Sequence, residues 1–128
     1  MSNIQNIIVT LRTVATSGAG SNDPLYLGVV GSGGGSEFPL FADGFDDYRE
    51  GSNVIYLIGG SYLGEDLHRR GLPIITPAHY GSNNPVIREI ELHSVDYVYL
   101  RKFGYKDPDD DDAWKMGSVT VELYDGPL

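Results

Sequence analysis

Short apolar runs, each closed off by a cluster of Gly, Asn, Asp or Ser, recur along the chain and favour strands joined by turns. The clearest is the last. Val119, Val121 and Leu123 alternate with Ser118, Thr120 and Glu122, the two-residue period of a strand with one face on a core and one in water. Runs at 7–14, 25–30, 37–41, 53–58 and 96–103 are the other strand candidates. The run 53–58 is apolar at nearly every position, which points to a central strand covered on both faces; a buried helical turn is the other reading of so short a run. Seventeen Gly and seven Pro, with nine Tyr and many Val, Ile and Thr, agree with short strands and turns rather than long helices. The glycine-rich run 31–36 reads as a hairpin turn. Segment 86–92 fits a strand face or a helical turn equally well. Between 59 and 85 no period holds, although residues 65–70 suit a single helical turn.

A length of 128 residues with 41% hydrophobic and 21% charged side chains is that of one globular domain, residues 1–128, with enough apolar surface for its own core. The chain has no cysteine, so disulfides and thiolate zinc sites are excluded, and stability must come from burial or from oxygen-ligated metal. The first residues carry neither the basic segment nor the apolar run of a secretory signal, and no run approaches the roughly 20 apolar residues that cross a bilayer. The expected location is therefore cytoplasmic, with export by another route left open. Eighteen acidic against nine basic side chains leave a formal net charge of −9, a field that repels nucleic-acid phosphates and anionic lipid head groups. The same charge suits hard divalent cations, calcium first.

Two loops concentrate the oxygen donors such a cation needs. Gly18-Ala19-Gly20-Ser21-Asn22-Asp23-Pro24 is followed about twenty residues later by Asp43-Gly44-Phe45-Asp46-Asp47-Tyr48. At one end of a sandwich they would offer carboxylates, an amide oxygen and loop carbonyls to calcium. Ordinary turns use the same residues, and from these residues alone the turn reading is the stronger.

Three segments in order alter that balance. The run 18–27, ending in Pro24-Leu25-Tyr26-Leu27, resembles the Gly-Thr-Asp loop and following strand of PLAT domains. Asp46-Asp47-Tyr48-Arg49-Glu50-Gly51-Ser52 resembles that family's acidic segment before a Gly-Ser, and Asp112-Ala113-Trp114 through Val121 resembles its Trp-containing last strand. The resemblance spans most of the chain, least clearly at 59–94. It implies an all-β, antiparallel eight-stranded β-sandwich used as a protein- or lipid-docking module, and supports fold more firmly than function. It also implies a calcium site, with Gly18 and Gly20 as carbonyl donors, Asn22 at the family's Asp position, and Asp43, Asp46 and Asp47 as carboxylates. Asn22 keeps an oxygen but loses a charge, for which Asp23 is the neighbouring replacement.

Asp107, Asp109 and Asp111 occupy the first, third and fifth positions of an EF-hand-like loop. That motif fails at Asp112, where glycine is needed, and at Ser118, where the closing Glu belongs. The run reads as a solvated acidic loop, with a second, looser cation site as the alternative. Trp114 beside it is a candidate partner contact; packing over the end of the sandwich is the plainer reading. Catalytic motifs fail: Leu63 breaks a Gly-x-Ser-x-Gly elbow at 59–64, Ser36 ends a dinucleotide fingerprint, and His68, His79 and His93 are scattered.

The sequence thus predicts a non-catalytic, calcium-associated module that docks to a protein or, through calcium, to a lipid surface. A calcium-independent structural protein that self-assembles through sheet edges, the middle loop and its tyrosines is the runner-up. A small hydrolase comes third.

Overall fold

The computed structural model describes residues 3–13, 25–32, 34–40, 53–59, 67, 69–76, 87–102 and 116–126. Among them are seven strands: β1 (Asn6–Thr13), β2 (Leu25–Gly31), β3 (Gly34–Pro39), β4 (Asn53–Gly59), β5 (Ile74–Ile75), β6 (Val95–Lys102) and β7 (Met116–Tyr124). They form a four-stranded sheet in the order β5-β4-β1-β7 and a three-stranded sheet in the order β3-β2-β6. Every pairing is antiparallel except that of β4 with the two-residue β5. The chain is therefore an all-β, sandwich-like fold. No helix among the described residues is long and apolar enough to cross a membrane.

Side-chain alternation and register together build the core. In the four-stranded sheet, Ile7 lies between Ile58 and Leu123, Val9 between Tyr56 and Val121, and Leu11 between Val54 and Val119. These rows face Leu25, Leu27, Val29 and Phe38 of the other sheet in one apolar cluster. A one-residue slip of β1 would turn this whole set away from the core, so burial fixes the register. The intervening residues are not left in water. Ile8, Ile55 and Leu57 pack on the outer side of the sheet beneath Leu67, Leu72 and Ile74, with Tyr124 at the margin. Strand β4 is accordingly buried on both faces, as its unbroken apolar run predicts.

Several expectations need adjustment. The glycine-rich run is only partly a turn, because Gly34 to Ser36 pair with Gly31 to Val29 and extend β3 backwards. Segment 87–91 is neither a strand face nor a helical turn: the Ile90 carbonyl accepts a hydrogen bond from the Ile4 N–H (2.7 Å), and Glu91 forms an isolated bridge with Asn3. A 3-10 turn at Leu92–Ser94 then leads into β6. Within the segment lacking a period, the Leu67 carbonyl accepts from the Arg70 N–H (3.1 Å), and the chain continues to β5.

Candidate functional site

Strand register places the roots of three segments together. Thr13, the end of β1, pairs with Met116, the start of β7, while Arg12 pairs with Asn53, the start of β4. In the other sheet Leu25, the start of β2, pairs with Lys102, the end of β6, and its carbonyl accepts from the Leu40 N–H (2.9 Å). The opposite ends of the two sheets meet around Ile90, whose carbonyl accepts from the Ile4 N–H, two residues before β1 of one sheet, and which lies beside Gly34 of the other. Segments 14–24, 41–52 and 103–115 are consequently all rooted at one end of the sandwich. Ten of the eighteen acidic residues lie on these segments, against three basic ones, Arg49, Lys106 and Lys115.

The sequence candidates all fall on those segments. Gly18, Gly20, Asn22, Asp23, Asp43, Asp46 and Asp47, the second set Asp107, Asp109 and Asp111, and Trp114 lie outside the described residues. The described framework brings their attachment points together. Among the described residues there is no group of three or more His, Asp or Glu side chains able to hold a metal.

A second polar feature covers the outer face of the three-stranded sheet. Glu37 on β3, Gly28 on β2 and Tyr99 on β6 lie in one cross-strand row. With no side chain at Gly28, the Tyr99 ring occupies the space a Cβ would need. Its hydroxyl thereby reaches Glu37 Oε2 (2.5 Å). Arg101 donates to both Glu37 oxygens, at 3.0 Å from Nε to Oε2 and 2.9 Å from Nη2 to Oε1, while its guanidinium lies 4.5 Å from the Tyr26 ring centre. These donors stabilise the carboxylate: the Arg101 hydrogen bond, and then that of Tyr99, hold the Glu37 pKa below its ordinary value. Glu37 in turn raises the pKa of Tyr99 and of Arg101. With both oxygens engaged, Glu37 is a pin between strands β3 and β6.

The same three residue types recur on the other sheet. Arg70 grips Glu122 through two hydrogen bonds (2.6 and 3.1 Å), and the Tyr124 hydroxyl donates to Glu122 Oε2 (2.7 Å). Arg70, followed by Tyr124, lowers the Glu122 pKa against the opposing effect of burial. This fastens the covering segment to β7.

Neither pin was identified from the sequence. The available signals were the alternation of Tyr97, Tyr99 and Arg101 and a glycine in the middle of an apolar strand. The partners Glu37 and Arg101 are 64 residues apart, so no local motif joins them. Compared with known proteins, the chain matches no protein-family model, and no curated protein matches it.

Proposed function

We propose that this chain is a non-catalytic, calcium-associated binding module of PLAT-like, eight-stranded form that docks to a protein partner or lipid surface. The observation that supports the reading best is the common root of segments 14–24, 41–52 and 103–115, whose sequences carry ten acidic residues. Their donor chemistry fits a hard cation: carboxylates from Asp43, Asp46, Asp47 and Asp23, an amide oxygen from Asn22, and carbonyls from Gly18 and Gly20. Asp107, Asp109 and Asp111 supply a second, looser set. A cation there offsets mutual repulsion and orders the segments into a docking surface, with Trp114 as the aromatic contact.

Thermal melting in EDTA and then in millimolar calcium tests the reading. A ligand that binds only the folded state stabilises it by about 2.7 kcal/mol at one hundred times its dissociation constant. A calcium-dependent rise in midpoint is expected; an unchanged midpoint removes calcium from the proposal.

A further inference from the structure

We propose that two copies of this chain associate through the outer edges of strand β6, antiparallel about a two-fold axis at Tyr99. This is independent of the calcium reading. Strand β6 ends its sheet, and among the described residues no strand pairs with its outer edge. Tyr97 and Val98 are 57% and 41% exposed, the large hydrophobic side chains left open among the described residues. They are adjacent on one strand and point to opposite faces, which identifies an open edge rather than an open face. The other edge strands are less suited. Strand β3 contains Pro39 and begins with two glycines, β5 has two residues, and β7 has Glu122 as its one charged side chain, giving a self-pair no opposite charge.

Symmetry then selects the register. A two-fold axis perpendicular to the sheet keeps outward residues opposite outward residues. Centred on Tyr99, it sets Asp96 against Lys102, Tyr97 against Arg101 and Val98 against Leu100, each pair formed twice. Centred on Val98 it would oppose Asp96 to Leu100, and centred on Leu100 it would oppose Val98 to Lys102; both put charge against apolar surface. Asp96 is exposed at the register shift opposite Val30 and Gly31, at the end of the new ladder, where a long lysine side chain reaches it. Because the paired strands run oppositely, the sheet ends at which the acidic segments attach point in opposite directions, which limits repulsion between two chains of net charge −9. The result is one six-stranded sheet, β3-β2-β6 continued by its symmetry mate. A ladder of seven residues, 96–102, buries less than a standard interface, so the dimer should dissociate at micromolar concentrations.

Sedimentation velocity from about 1 µM to about 500 µM tests this, with a reversible monomer–dimer shift expected. Asp96→Lys replaces two attractions with two repulsions and should weaken the dimer about tenfold, while Asp96→Lys combined with Lys102→Asp should restore it. Recovery in the double variant separates pairing from misfolding. Since the native chain has no cysteine, register is read by oxidation: Tyr99→Cys should form a disulfide-linked dimer. Tyr97→Cys should not, its mate lying roughly 13 Å away along the ladder. Monomer at every concentration, a dimer indifferent to Asp96→Lys, or equal cross-linking at the two positions would overturn the proposal.

Discussion

Truncating Leu67 to alanine tests whether the segment around it is a structural cover or a surface loop. Leu67 is 3% exposed and packs with Ile8, Ile55 and Leu57 on the outer side of the four-stranded sheet. Removing three buried carbons costs about 2–2.5 kcal/mol by transfer alone, at about 0.8 kcal/mol per methylene, before any cavity is counted. Buried Leu→Ala changes reach about 5 kcal/mol, but a cover can settle toward the sheet more readily than a core strand, so about 2–3 kcal/mol is expected. For a chain of this length that lowers Tm by roughly 6–12 °C. Urea unfolding should give the same loss with an unchanged m-value. Leu67→Ala combined with Leu57→Ala should be non-additive, because the two side chains share one contact region. A loss within about 0.5 kcal/mol, the usual range for surface substitutions, would refute the idea that this segment seals the sheet.

The outer-face pins make two further predictions. Gly28→Ala should lower Tm in the native chain, where the Tyr99 ring fills the Cβ position, and should lose that effect in a Tyr99→Ala background; equal effects in both would contradict the cross-strand packing. Glu37 and Glu122 have folded pKa values below their ordinary 4.5, so their contribution is complete above about that pH and is lost as pH falls through the lowered values. Tm measured from about pH 5 to about pH 3 should therefore fall more shallowly for Glu122→Gln than for the native chain, the effect being small because the pair is partly exposed.

The strands were legible where burial imposes a period. Val119, Val121 and Leu123 mark β7 by alternation, and the unbroken run of β4 marks a strand covered twice. The two residues of β5 are too few to show any period. Leu67 is a single apolar residue among polar neighbours, and only Ile8, Ile55 and Leu57 reveal its role. Similarly, Ile90 is fully buried although its segment has no regular structure, because a backbone bond to Ile4 holds it over the core. For the candidate site, donor chemistry was readable in Asn22, Asp46 and Asp47 as residue types. The common root of their segments was not, since it follows from pairings such as Arg12 with Asn53 and Leu25 with Lys102, far apart in sequence.

Calorimetric titration of the calcium-stripped full chain with calcium bears most directly on the proposed function. Saturable binding is expected in the native chain and should be sharply weakened when Asp46 and Asp47 are both alanine, with Glu122→Gln, six residues along β7 from the root at Met116, titrating as the native chain does. Absence of binding by the native chain, or binding unaffected by the loss of Asp46 and Asp47, would contradict a calcium-ordered docking end.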